Sequence, residues 1–184
     1  MEEITVENVV VSITFKERIP IEKLLKKYVE MEYEPEQFPG VIFKLNNPKC
    51  SFLIFQSGKI ICTGARNVEE ANKAVQIILE KLKGIGMDTK NAEVQIENVV
   101  ISAQLNGEID LNKLAFELEN CEYEPEQFPG LIYRKEKPKF AFLVFRSGKI
   151  VCTGSKNVEE AKKELKNFVE YIKNSPHFKP YLKK

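Results

Sequence analysis

Two copies of one loop hold the residues that could do chemistry. Residues 32–40 read E-Y-E-P-E-Q-F-P-G, and residues 122–130 repeat them letter for letter. Glu34 with Glu36, and Glu124 with Glu126, resemble the carboxylate pairs of acid–base catalysts. They sit in Pro-rich, open loops, which lack the buried setting that proton transfer needs. Four cysteines (Cys50, Cys62, Cys121, Cys152) are spread without a Cys-x-x-Cys spacing, and His177 is the one histidine. That pattern is no zinc site; buried thiols are the expectation. There is no phosphate-binding Gly loop and no nucleophile elbow. The expectation is therefore no catalytic residue, no metal and no cofactor. What the loops do offer is an aromatic at the tip, Phe38 or Phe128, set before Pro-Gly.

The chain around them has 184 residues, 43% hydrophobic, with 28 basic side chains against 27 acidic. Net charge names no partner, and disorder is excluded at this apolar content. No run has the apolar length of a membrane span. The start, M-E-E-I-T-V, has no leader pattern, so the expected location is intracellular and cytoplasmic.

The repeat extends well beyond the loop. Shifted by 90 positions, V-E-N-V-V (6–10) meets I-E-N-V-V (96–100), S-G-K-I meets S-G-K-I, and N-V-E-E-A meets N-V-E-E-A. From Glu32 to Ala71, 27 of 40 positions are identical without a gap, which marks a duplication. Ninety residues is too long for a solenoid unit and suits a half-domain packed against its own copy. The expected units are 1–90 and 91–184, intertwined as one pseudo-twofold structure.

Periodicity supplies the elements. Residues 4–14 alternate as a strand. Ile21, Leu24, Leu25 and Tyr28 keep helical spacing, as do Leu111, Leu114, Ala115 and Leu118. After the loop come a strand at V-I-F-K-L (41–45) and a hairpin, C-S-F-L-I-F then K-I-I-C-T-G, around Q-S-G. Asn67 is placed to cap the last helix, with Glu70 three residues on. Its apolar stripe is Val68, Ala71, Val75, Ile78, Leu79 and Leu82; the copy uses Val158, Ala161, Leu165, Phe168, Val169 and Ile172. The class is α+β, with an antiparallel sheet and helices on one face.

That sheet has too much apolar surface for its helices. Strand side chains alternate between faces. Phe52 and Ile54 oppose Leu53 and Phe55; Ile60 and Cys62 oppose Ile61 and Thr63; Val9 and Val11 oppose Asn8, Val10 and Ser12. Two helices per repeat cover one face. The other keeps Val10, Leu53, Phe55 and Ile61, then Val100, Leu143, Phe145 and Val151. An uncovered apolar face is a binding surface, or it is closed by a second sheet or a second copy. Asn8, Thr63, Asn98 and Thr153 add uncharged hydrogen-bonding groups to it. Residues 41–66 carry four basic side chains and no acid, and residues 131–156 carry seven against Glu136 alone. Basic charge clustered in both copies points to phosphates.

At this point the chain resembles the TATA-box-binding proteins of archaeal and eukaryotic transcription. The markers are the duplicated E-Y-E-P-E-Q-F-P-G, F-L-I-F-Q-S-G-K-I-I-C-T-G-A and F-L-V-F-R-S-G-K-I-V-C-T-G-S. The likeness covers essentially the whole chain, and the charge-rich composition without an N-terminal extension is similar to the archaeal form. It implies a pseudo-twofold saddle of two β-α-β-β-β-β-α repeats, with one curved ten-stranded antiparallel sheet and four helices on the convex face. The concave face would lie in the minor groove of A·T-rich DNA.

This family is itself the standard example of apolar wedges that kink the duplex, so the mechanism comes from the resemblance. By position the wedges are Phe38, Phe55, Phe128 and Phe145. An arbitrary Phe beside Pro-Gly is core packing; its repetition beside a second open-face Phe argues otherwise. Base edges would meet Asn8, Val10, Leu53, Ile61, Thr63, Asn98, Val100, Leu143, Val151 and Thr153. Phosphates would meet Lys44, Ser57, Lys59, Arg134, Ser147 and Lys149. Glu124, Glu126 and Gln127 would dock transcription factor B, which brings RNA polymerase indirectly; solvated turn residues are the plain alternative for these loops.

The role implied is a general initiation factor, nucleoid-associated, or nuclear in a eukaryote. An architectural binder without sequence preference and a weak homodimer off DNA remain as competing readings of the open face. The Pro-interrupted basic tail N-S-P-H-F-K-P-Y-L-K-K is expected to fray.

Overall fold

The computed structural model describes residues 3–182 apart from Pro138. Its elements follow the repeat. The first copy contains β1 (Ile4–Thr14), α1 (Ile21–Lys27), β2 (Val41–Asn46), β3 (Lys49–Ile54), β4 (Lys59–Ala65) and α2 (Val68–Lys83). The second contains β5 (Glu93–Gln104), β6 (Gly107–Ile109), α3 (Leu111–Glu117), β7 (Cys121–Glu122), β8 (Leu131–Glu136), β9 (Lys139–Val144), β10 (Lys149–Ser155), α4 (Val158–Lys173) and β11 (Phe178–Pro180). The two compact units run from Glu7 to Glu97 and from Asn98 onward, the second also holding the opening residues of β1.

In the first unit the strands lie in the order β2-β3-β4-β1, all antiparallel. Short turns make each neighbour the next strand in the chain, and β1 closes the row beside β4. The alternation expected from the residues is observed except at Ser12: a bulge interrupts β1 between Val9 and Val11, and Ser12, expected on the open face, is buried and donates to the Glu97 carboxylate at 2.7 Å. Val9, Val11, Ile13, Phe52, Ile54, Ile60 and Cys62 are buried, and α2 lies over β4 to cover them. Full burial of a side chain such as Phe52 or Ile54 contributes about 1.5–3 kcal/mol. Asn67 caps α2 by accepting from the Glu70 N–H at 2.7 Å, while the Glu70 carboxylate reaches back to the Arg66 N–H at 2.9 Å. The buried stripe includes Ala74, which the periodicity reading omitted; Val68 and Leu79 are half-buried.

The second unit repeats the order as β5-β10-β9-β8-β7. Val99, Ile101, Phe142, Val144, Ile150 and Cys152 are buried, and α4 lies over β10. Here the core is aromatic. Phe142 stacks on Phe168 with centroids 4.4 Å apart, and Tyr133 and Phe140 join them.

Ten strands were expected in the large sheet; among the described residues nine are full strands and the tenth place holds an isolated bridge. Cys121 and Glu122 make a strand against Tyr133 and Ile132, whereas the first copy has only a bridge between Glu32 and Ile42. Asn120 explains the difference. It adopts φ 58°, which Asn tolerates, and its carbonyl accepts from the Arg134 N–H at 3.1 Å. That bond lengthens the ladder by a residue. The first copy has Glu30 at this position, without a positive φ.

Up to Leu182 the tail does not fray; its last two residues lie outside the described residues. Phe178–Pro180 pairs antiparallel with β6, in register Phe178↔Ile109, Lys179↔Glu108 and Pro180↔Gly107. The Asp110 N–H donates to the His177 carbonyl at 2.8 Å, and the Tyr181 N–H to the Asn106 carbonyl at 2.9 Å. Pro180 falls at the position whose N–H would point away from β6, so its missing donor costs no ladder bond. Gly107 makes the approach feasible: a Cβ there would lie 2.4 Å from the Lys179 carbonyl and 2.6 Å from the Phe178 ring. Among the described residues, no helix is long and apolar enough to cross a membrane.

Candidate nucleic-acid interface

The face opposite the helices is built from the outward residues of each sheet. Register sets them in rows. Ile42, Leu53 and Ile61 lie side by side across β2, β3 and β4; Ile132, Leu143 and Val151 do so across β8, β9 and β10. These side chains, with Val10 and Val100, are half-exposed while their sequence neighbours are buried. No helix covers them. Ile42 and Ile132 were missed in reading the sequence, although their alternation with buried Val41 and Leu131 carried the signal.

At one end of each row two phenylalanines meet. Phe38 and Phe55 have centroids 5.8 Å apart at 57°, and Phe128 and Phe145 are 5.8 Å apart at 64°. The loop is closed on itself: the N–H groups of Gln37 and Phe38 both donate to the Glu34 carbonyl at 2.9 Å, and the second copy repeats this at Glu124. Gly40 is required by the rings, since a Cβ would lie 2.9 Å from Phe38 and 3.0 Å from Phe55; Gly130 is confined in the same way. Pro-Gly therefore sets the aromatic pair. Phe128 is 37% exposed, the most open of the four.

Near β1 and β5 the polar groups are pre-oriented. Asn8 accepts from the Gly64 N–H at 2.7 Å through its carbonyl oxygen, and its amide nitrogen donates to the Thr63 hydroxyl at 3.1 Å. Asn98 holds Gly154 at 2.9 Å and Thr153 at 2.9 Å in the same pattern. Only the carbonyl end of an amide can accept from a glycine N–H, so the NH2 end of each Asn is fixed. Gly64 and Gly154 have φ of +103° and +111°, a region that favours glycine and that the sequence did not announce. With the Asn oxygen and one amide hydrogen engaged, each Asn keeps a second amide hydrogen to donate; in the second repeat the Thr153 O–H also donates to the Asn98 oxygen, at 3.3 Å. Linked hydrogen bonds polarise one another, which strengthens the outward donor.

The basic candidates are arranged around the rows. Lys44, Ser57 and Lys59 are exposed, as are Arg134, Ser147 and Lys149. Arg134 is engaged by Glu122 at 3.1 Å, with both side chains more than half exposed. Such a pair contributes about 0–1 kcal/mol and can be exchanged for a phosphate. Lys135 turns to the helix side and pairs with Glu164 at 2.8 Å, so it leaves the basic cluster read from residues 131–156. Glu124, Glu126 and Gln127 are exposed on the loop, like Glu34, Glu36 and Gln37. Cys50, Cys62 and Cys152 are buried thiols beneath the face, and Cys121 is half-buried. Burial, then the nearby Glu164 charge, push the Cys152 thiol up to about 12.

A family model described as transcription factor TFIID, or TATA-binding protein, matches residues 3–85 and again 93–175. The chain belongs to the TATA-box-binding protein family. A TATA-box-binding protein of Methanocaldococcus jannaschii is 47% identical over 172 residues, covering 93% of this chain and 94% of that protein. One from Sulfurisphaera tokodaii is 44% identical over 179 residues, 97% of this chain and 90% of its own. A solved structure described as Methanococcus jannaschii TBP superposes with a TM-score of 0.82 at 46% identity, covering 94% of this chain and 99% of that one. TATA-box-binding proteins are non-enzymatic DNA-binding transcription factors, and the fold of two repeats with four helices and a large antiparallel sheet is theirs.

Proposed function

We propose that this chain binds the minor groove of TATA-box promoter DNA through the helix-free face of its sheet and bends it. The observation that carries the reading is the paired phenylalanines of each repeat, held beside a half-exposed apolar row. Each repeat lays its row along one half of the site. Phe38 with Phe55, and Phe128 with Phe145, enter base steps and unstack them, as apolar wedges do in minor-groove binders. Flexible TA steps lower the cost of that distortion.

Choice of A·T over G·C follows from the polar groups. The minor groove shows acceptors at adenine N3 and thymine O2, and guanine adds an amino donor. The outward amide hydrogens of Asn8 and Asn98 and the hydroxyls of Thr63 and Thr153 match the acceptors. The rows of Val10, Leu53, Ile61, Val100, Leu143 and Val151 give the guanine amino group nothing to bond. Burying it unpaired costs about 1–3 kcal/mol. Lys44, Ser57, Lys59, Arg134, Ser147 and Lys149 hold phosphates, which fix position without reading sequence. The bent complex then docks transcription factor B on the second loop, through Glu124, Glu126 and Gln127, and RNA polymerase follows. The archaeal relatives support a cytoplasmic setting for this activity.

Fluorescence anisotropy at stated salt tests the reading. A TATA duplex and the same duplex with central G·C pairs are compared, with the wild type beside Phe128→Ala/Phe145→Ala. Expected are A·T preference, a steep salt slope, and loss of most affinity in the double variant. Equal binding to both duplexes would make the protein an architectural binder without sequence choice. Charge reversal at Glu124 and Glu126 that leaves assembly with transcription factor B untouched would remove the docking assignment.

A further inference from the structure

The helix-free faces of the two repeats are nearly identical, so their few differences are informative. In the first repeat Lys44, Ser51 and Thr63 stand side by side across β2, β3 and β4. In the second the same places hold Arg134, Ala141 and Thr153. Ser51 and Ala141 are both half-exposed. Ala141 offers no polar side-chain atom. Among the described residues, no group of the protein takes the Ser51 hydroxyl.

A free acceptor is scarce on these faces. The carbonyl oxygens of Asn8 and Asn98 are occupied by the Gly64 and Gly154 N–H groups. The hydroxyl oxygens of Thr63 and Thr153 already accept from the asparagine amides. The rest of the rows is hydrocarbon. Ser51 therefore brings to the first repeat a hydroxyl with both lone pairs open, at a place where the second repeat has only a methyl group. The one minor-groove group that needs an acceptor is the guanine N2 amino.

We propose that Ser51 is a specificity-determining residue, whose hydroxyl accepts a hydrogen bond from a guanine amino group, so that the first repeat tolerates a G·C pair that the second rejects. The inference rests on the minor-groove reading above. It gives the near-symmetric protein a polarity of its own: a G·C pair on one side of an A·T-rich site turns the first repeat toward that side.

The test uses the full chain and the palindromic duplex core T-A-T-A-T-A-T-A. Each position of one half is changed in turn to a G·C pair, and then the same change is made symmetrically in both halves. At the position facing Ser51, a single change is expected to cost the wild type about twofold or less, because the protein turns round to accommodate it. The symmetric change has no such escape and costs about tenfold or more. Ser51→Ala makes the single change as costly as the symmetric change is for the wild type, and Ser51→Thr restores tolerance. Ala141→Ser brings the symmetric change back to within about threefold of the parent. Replacing guanine by inosine, which lacks the amino group, erases all these differences. If A·T preference holds but Ser51→Ala scans like the wild type, the proposal is overturned while the minor-groove reading stands. If inosine and guanine behave alike, the hydroxyl is not reading the amino group. Failure of any duplex to show A·T preference removes the minor-groove reading itself, and this inference with it.

Discussion

The two repeats carry one loop and one open face but close their helix sides differently. Beneath α2 the first repeat buries Cys50 and Cys62 beside one stacked pair of rings, Phe43 and Phe52. The second has Phe140 where the first has Cys50, and it builds a stack of Tyr133, Phe140, Phe142, Phe168 and Tyr171. The first repeat runs on from α2 through Gly84 and Met87 into the second. In the second the stretch after α4 is pinned as β11 on β6, at Gly107, where the first repeat has Glu17. Duplication kept what faces outward from the sheet and let the supporting side diverge. Packing on the helix side has several solutions of similar volume. A face matched to a near-symmetric duplex has fewer.

Four comparisons between equivalent positions would break or sharpen that view. Phe142→Ala and Phe52→Ala should each cost about 3–5 kcal/mol, as large-to-small core changes do. Phe142 should cost about 0.5–1.5 kcal/mol more, since it stacks on Tyr133, Phe140 and Phe168 where Phe52 stacks on Phe43 alone. Urea unfolding of both variants measures this, and equal losses would mean the aromatic stack adds only volume. Next, Gly107→Val should cost about 1–3 kcal/mol and expose the tail to protease, because its side chain would enter the space of Lys179 and Phe178. Glu17→Val, at the exposed equivalent, should stay within about 0.5 kcal/mol.

A smaller effect is expected on DNA affinity. Glu122→Gln releases Arg134 from its 3.1 Å partner and should tighten binding about two- to threefold at low salt. Glu32→Gln should tighten it less, because among the described residues Lys44 has no ion pair to be freed from. Anisotropy across a salt series separates the two. The smallest effect concerns Tyr171, which donates to the Glu117 carboxylate. Burial, then that hydrogen bond, push its phenol up to about 12 from its ordinary 10. A raised folded value means a contribution that is whole below about pH 10 and lost as pH climbs to about 12. Tyr171→Phe should flatten that alkaline limb, with the change kept small by the exposure of the ring. Lys81→Met, at the equivalent position of the first repeat, should leave the limb unchanged.

Local patterns accounted for much of this molecule. Asn67 and Asn157 could be read as caps because a cap is set by residues three apart, and both accept from the expected N–H groups. Alternation placed Leu53 and Ile61 outward because a strand has only two faces. Ala74 was missed because alanine weighs little in an apolar stripe, although it is fully buried. The fate of the tail was misread because Pro180 and the terminal lysines resemble a frayed end, and nothing near them in the chain points to Gly107.

Duplication, fold class, the four helices and the open apolar face were thus determined by residue order alone, since each depends on periodicity or identity within a few residues. Tertiary structure decided what depends on atoms distant in the chain: that Gly64 takes the Asn8 oxygen and leaves donors outward, that Gly40 seats two rings, that Arg134 and Lys135 part to opposite sides, and that β11 docks. Hydrogen-bond direction and close approach are properties of positions in space, and spacing along a chain specifies them only after the chain has folded.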